Sequence, residues 1–173
     1  MEAMLPTLPA FGILERTPAV LRGMLAGATS EELGWRPNEG RWSIAMVLAH
    51  LADVEENGFV QRFRAIAGQE SPFLPSYDQW ALFLTRTEFD AGEELTRFEE
   101  RRQATLAWLK GLPDEVRSRT GRHEELGAIS FDNLLNEFAF HDLGHLRQVA
   151  ELYRAKAFYP RMGTFQQYYR INP

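Results

Sequence analysis

Cysteine is absent from this chain. That excludes disulfides, thiolate-ligated zinc and a nucleophilic protein thiol, and it suits a cytoplasmic protein. No stretch approaches the roughly 18 uninterrupted apolar residues of a membrane span. The opening segment MEAMLPTLPAFGILERTP has no basic leader region, and its prolines break the apolar run, so no signal peptide is expected. Positive charge is not in surplus: the net charge is -5 over 173 residues. A nucleic acid is therefore not expected as the main partner, because phosphate neutralisation needs a cationic face. Internal repeats and low-complexity runs are missing too.

What remains is rich in Leu and Ala relative to Val and Ile, which favours helix over sheet. The length fits a single domain over residues 1–173 with a real core. Thr17-Pro18 reads as a helix start, with a hydroxyl cap and Pro at the first helical position, leading to Gly27. Residues 28–42 form a polar connection with a short helical turn at Ser30–Leu33. Ser43 caps a second helix in which Ile44, Val47, Leu48, Leu51 and Val54 recur at helical spacing, ending at Gly68. Residues 69–89 read as a long aromatic loop with one short helix. A third helix spans 90–111 and is ended by Gly111 and Pro113. Residues 113–129 are polar and turn-rich. Ser130 caps a fourth helix running to about Lys156, and the aromatic tail packs back on the bundle or on a second subunit. Four amphipathic helices predict an all-α four-helix bundle.

The chemistry concentrates in His141-Asp142-Leu143-Gly144-His145. Side chains four apart on a helix share one face, which lets two imidazoles hold one ion. At ~100° per residue with Phe131 at zero, His141 falls at about -80° and His145 at about -40°. Leu134 at about -60° and Phe138 at about -20° bracket them on the core stripe. His50 lies at the edge of the apolar arc of the second helix, beside Met46 and Asn57. Neutral imidazoles suit a divalent transition ion such as zinc or nickel, and three of them leave a position open for water or substrate. A lone inward His is ordinarily a hydrogen-bonded core residue. Paired inward imidazoles without a ligand leave ring nitrogens to satisfy.

Other motifs fit less well. A zincin needs Glu where Asp142 stands, and Asp is one methylene short. An HD-type phosphohydrolase needs a later Asp, and none follows Asp142. A di-iron bundle needs Glu-x-x-His on two helices, whereas Glu137 is four residues before His141. Asp142 is read as a structural acceptor for another helix, such as that of Trp42, with ligand orientation as the alternative. Glu137 is read as a solvated residue, with a supporting or basic role at the site as the alternative. Arg102 is expected to snorkel at the bundle edge. His123 is expected at the surface. Asn57 and Tyr77 are candidates for the site mouth.

Arg41-Trp42-Ser43-Ile44 with Leu48-Ala49-His50-Leu51, followed some ninety residues later by His141-Asp142-Leu143-Gly144-His145-Leu146-Arg147-Gln148, resembles the DinB/YfiT-like superfamily. The resemblance covers roughly Leu14 to Leu152. It implies a bundle with up-down-down-up connectivity, a metal held by His50, His141 and His145, and a homodimer. It also implies an enzyme in which the metal activates a low-molecular-weight thiol cosubstrate for transfer to a small electrophilic substrate. The alternatives are a hydrolase using metal-activated water, or a non-catalytic metal-binding or ligand-sensing stress protein. An open position beside a pocket favours enzyme or sensor, and a closed four-ligand site favours a structural role.

Overall fold

The computed structural model describes residues 9–173. The first eight residues of the opening segment MEAMLPTLPAFGILERTP lie outside the described ones. The helices are α1 (Pro9–Leu25), α2 (Ser30–Gly34), α3 (Ile44–Val54), α4 (Gln61–Gly68), α5 (Ala81–Thr85), α6 (Ala91–Lys110) and α7 (Phe131–Tyr153). A π-helical stretch, Glu55–Val60, joins α3 to α4, so one continuous rod spans 44–68. Among the described residues no helix is long and apolar enough to cross a membrane.

Local chemistry sets the helix starts. The Ser43 hydroxyl accepts the Met46 N–H at 3.2 Å, fixing the start of α3. Ser130 and Asn133 cap each other's backbone N–H groups, fixing the start of α7. Thr29 and Glu32 form the same kind of box on α2, and Asp90 caps α6.

The order of apolar residues gives the topology. One core cluster joins Ala10 and Leu14 of α1, Phe63 and Ile66 of α4, Leu106 and Leu109 of α6, and Phe131 to Ala139 of α7. The other joins Leu21 and Leu25 of α1, Ile44 to Ala52 of α3, Ala91 to Phe98 of α6, and Val149 and Leu152 of α7. Thus α1 and α7 run from the first cluster to the second, while the 44–68 rod and α6 run back. This is a four-helix bundle with up-down-down-up order. Because the rod and α6 are parallel, the chain needs a long return, and residues 69–90 supply it.

Two expectations about the elements are corrected. Thr17 and Pro18 do not begin a helix; both lie inside α1. Pro18 has no N–H to give the Leu14 carbonyl. That carbonyl instead accepts Arg102 Nη1 at 2.9 Å, and the Thr17 hydroxyl turns back to donate to the Ile13 carbonyl at 3.0 Å. Residues 113–129 are more ordered than a turn-rich connection. After a 3-10 turn (Asp114–Ser118) they form most of a hairpin, β2 (Thr120–His123) and β3 (Gly127–Ser130). β1 (Phe73–Leu74) adds to β2 in parallel. Strands this short show too little alternation to read. Gly121 lets β2 lie against the bundle: a Cβ there would meet Leu74 Cδ1 at 2.7 Å.

Between the apolar clusters lies a polar layer. Arg102 is 2% exposed and does not snorkel. Its guanidinium donates to both oxygens of Glu55 (3.1 and 3.0 Å) and both oxygens of Asp142 (2.6 and 3.0 Å). The rings of Phe98 and Phe138 cover it at 4.7 and 4.6 Å. A lone buried cation costs several kcal/mol, so the two carboxylates draw Arg102 inward. The histidines stand beside this layer.

Candidate metal centre

His50 comes from α3, seven residues after the Ser43 cap. His141 and His145 come from consecutive turns of α7. Their Nε2 atoms converge: His50 to His141 is 3.2 Å and His145 to His141 is 3.1 Å. Each of the three offers a ring nitrogen within 4.8 Å of the others, and among the described residues no carboxylate joins the group.

The surroundings hold the rings in place. Trp42 lies parallel to the His145 ring (9° between planes, centroids 6.3 Å apart) and 4.9 Å from the His50 ring. Phe59 stands edge-on to His141 at 5.3 Å. On a regular α-helix Phe59 would point about 180° away from His50, nine residues earlier. The π-helical stretch turns less per residue and brings Phe59 back toward the His141 ring. Gly58 within it is a packing requirement, since a Cβ there would sit 2.7 Å from Val54 Cγ2.

Protonation states follow from burial. Desolvation, with the neighbouring His145 and His141 rings, pushes His50 down to about 2. Desolvation, His145 and the Arg102 cation push His141 down to about 3. Burial lowers His145 as well, opposed by Gln148 and Asp142. All three are neutral near pH 7, the form in which imidazole ligates. His145 Nδ1 lies 2.8 Å from Gln148 Oε1, an acceptor, so Nδ1 carries the hydrogen and Nε2 keeps a free lone pair.

The donor set fits a metal ion better than a hydrogen-bonded cluster. With His145 Nε2 lacking a hydrogen, the His141 and His50 rings have to share what hydrogens remain among three facing nitrogens. An ion satisfies all three lone pairs at once. The Nδ1 atoms of His50 and His141 and the indole Nε1 of Trp42 are buried without partners among the described residues.

Two clefts reach the centre. One, of about 910 Å³, is lined by His141 and His145 together with Trp42, Glu137, Gln148 and four arginines. The other, of about 410 Å³, is lined by His50, His141, Tyr77, His123, Arg62 and Glu137. A groove of about 660 Å³ on the other side of Tyr77 contains no histidine.

The remaining candidates sort as follows. Tyr77 lines the smaller cleft, and its hydroxyl donates to Asp53 Oδ2 at 2.6 Å, which with burial raises the phenol pKa. Asn57 does not reach either cleft; it donates to Asp53 Oδ1 at 2.8 Å and so braces Tyr77 at one remove. Asp142 takes the structural role, but its donor is Arg102 on α6 rather than the helix of Trp42. Glu137 is exposed, yet it lines both clefts, and desolvation raises its carboxyl pKa against the pull of Arg62. His123 is not at the surface. It is 7% exposed on β2, where its Nδ1 accepts the Glu125 N–H at 3.2 Å. Sequence reasoning missed Gln148 and Glu55; the three-residue step from His145 to Gln148 was the available signal.

The family model described as the DinB superfamily matches residues 13–149. "Putative metal-dependent hydrolase YfiT" of Bacillus subtilis is 27% identical over 145 residues, 82% of this chain and 81% of its own. A protein of Oceanobacillus iheyensis, OB0782, named in the same way, is 27% identical over 146 residues, 83% of each chain. The solved structure of YfiT matches with a TM-score of 0.75 at 25% identity over 90% of this chain and 91% of that one. It is described as "a probable metal-dependent hydrolase with an unusual four-helix bundle topology".

Proposed function

The chain belongs to the DinB superfamily, and from that premise we propose that it is a metal-dependent enzyme centred on His50, His141 and His145. The observation that carries this is the meeting of three neutral Nε2 atoms beside two clefts. Nitrogens bound at about 2.0–2.1 Å in tetrahedral geometry stand about 3.3–3.4 Å apart. The separations of 3.2 and 3.1 Å are close to that edge. Zinc or nickel is the ion this all-imidazole set suits. Such an ion supplies Lewis acidity, lowering the pKa of the nucleophile that reaches the open position.

The chain's own residues do the rest. Gln148 holds His145 in the ligating tautomer. Trp42 and Phe59 shield the rings from bulk water. Glu137, at the edge shared by both clefts and with its carboxyl pKa raised, is placed to move a proton to or from a bound small molecule. Hydrolysis is the first reading, because the relatives carry names of metal-dependent hydrolases. Transfer of a low-molecular-weight thiol to an electrophile is the second. It is favoured by two separate clefts reaching His141, enough for two substrates, and by the lack of a cysteine that could serve as a resident thiol. A purely supportive role is disfavoured by the open side of the three-His set. A homodimer is also proposed. Phe140 and Leu143 of α7 and Phe165 and Tyr168 of the tail are exposed apolar side chains available for pairing, and light scattering at twice the chain mass is expected.

Cobalt-substituted protein separates the two reactions. Under hydrolysis, cleavage of an ester and amide panel requires metal, and a thiol that shifts the visible spectrum inhibits that cleavage. Under S-transfer, the thiol that shifts the spectrum is consumed together with an electrophile. A protein that takes up no cobalt overturns both.

A further inference from the structure

The larger cleft carries an electrostatic signature opposite to that of the whole chain. The chain bears -5. Into this one cleft come Arg41 from the loop before α3, Arg147 from α7, Arg154 from the turn that follows it, and Arg170 from the tail. The acidic side chains lining it are Glu137 and Glu151. Four cationic and two anionic side chains, with the carboxylate of Pro173 also in the lining, leave a local surplus of one positive charge, next to His141 and His145.

The pairing sharpens the point. Glu151 is committed to Arg154 through two contacts, at 2.5 and 3.1 Å. Arg41 donates to a neutral partner, Asn172 Oδ1, at 3.1 Å. Among the described residues no carboxylate forms an ion pair with Arg41, Arg147 or Arg170. The three come from segments far apart in sequence, so their convergence is a product of the fold rather than of a basic run. Trp42, in the same wall, has its indole N–H without a partner among the described residues. A cleft of about 910 Å³ has room for a small metabolite. Guanidinium groups are the side chains best matched to planar or tetrahedral oxyanions, through paired hydrogen bonds.

We propose that this cleft binds the anionic end, a carboxylate or phosphate group, of the small molecule processed at the histidine centre, with Arg41, Arg147 and Arg170 holding the oxyanion. The proposal rests on the metal-enzyme reading only in making that anion part of the substrate. The cleft's affinity for anions stands apart from it. The anion fixes the molecule at the Arg end, and its reactive part then extends along α7 toward His145 and His141. A cationic wall of this kind also draws anionic ligands to an otherwise acidic protein, so the association depends on ionic strength.

The test is calorimetric titration with succinate and with glycerol 3-phosphate as probes, on zinc-loaded and on metal-free protein. Saturable binding is expected in both forms. Arg147→Ala with Arg170→Ala should weaken it about tenfold or more. Arg161→Ala, an exposed arginine outside the cleft, should leave it unchanged. Zinc stoichiometry should be the same in all three proteins if the variants fold, and the tighter probe identifies the head group. The proposal is overturned if neither probe binds the parent protein, or if the double variant binds within about twofold of the parent in both forms. A parent that binds no zinc removes the metal-enzyme reading and leaves the anion result to be judged on its own.

Discussion

Arg102 and Asp142 form a two-pronged pair in the middle of the bundle, Nη1 to Oδ2 at 2.6 Å and Nη2 to Oδ1 at 3.0 Å, with neither residue more than 2% exposed. Asp142 directly follows His141, so the pair fixes the rotation of α7 at the level where two of the three histidines project. The same guanidinium grips Glu55 at the start of the π-helical stretch and the Leu14 carbonyl that Pro18 leaves free. All four bundle helices meet at one side chain.

Removing one partner strands buried charge. Asp142→Ala and Arg102→Met should each cost about 3–5 kcal/mol of unfolding free energy. Urea unfolding of the metal-free proteins measures this. A loss under about 1 kcal/mol would mean that the layer is dispensable.

The histidines give the stability a pH dependence. His50 and His141 titrate at about 2 and about 3 when folded, and near 6.5 when unfolded. The unfolded chain therefore binds more protons below pH 6.5, and stability falls as pH falls. The slope reaches about 1.4 kcal/mol per pH unit for each histidine. Glu55 and Glu137 have raised carboxyl pKa values and act in the opposite sense above about pH 4.5, so over pH 5–6.5 the histidine share is read by comparing the parent with a His50 variant. Across that window the urea midpoint of metal-free protein should drop. His50→Leu should flatten the slope by about one histidine's share. A slope that is the same in the parent and in His50→Leu would contradict the burial of this ring as a neutral group.

Gln148 orients His145 from 2.8 Å. Gln148→Ala should weaken metal affinity about 10–100-fold, the usual cost of losing such a partner. Gln148→Glu should preserve binding, and the melting temperature of the metal-free protein should barely change. Unaltered affinity in the Ala variant would show that Trp42 stacking alone sets the ring.

Gly58→Ala sets two effects against each other. Helix propensity favours Ala by about 1 kcal/mol. The added Cβ meets Val54 Cγ2 at 2.7 Å, and Val54 is a stiff β-branched side chain buried in the core. Overpacking costs about 1–3 kcal/mol, so a net lowering of the urea midpoint is expected. A raised midpoint would mean that the π-helical stretch relaxes into a regular helix without loss.

Where the signal was local, the sequence was legible. Ser43 and Ser130 cap the helices they were expected to cap, and the four-residue step from His141 to His145 put both rings on one face, as helix geometry requires. His50 could be placed on the inner side because its neighbours are apolar. Arg102, His123 and Pro18 could not be read correctly, because each is explained by a partner distant in sequence. Arg102 is inward because Glu55 and Asp142 are there, His123 because its strand closes over the cleft, and Pro18 is tolerated in mid-helix because Arg102 takes the orphaned carbonyl. The π-helical stretch breaks the 3.6-residue period from which positions around a helix are inferred, so the approach of Phe59 to His141 had no periodic signature.

The central claim is that His50, His141 and His145 together hold one metal ion. Elemental analysis of the protein purified and reconstituted with zinc or nickel, beside His145→Ala treated identically, tests it most directly. The account predicts about one ion per chain in the parent and a large loss in the variant, with helical content retained. A parent that stays metal-free after reconstitution, or a variant that keeps the full complement, would contradict it.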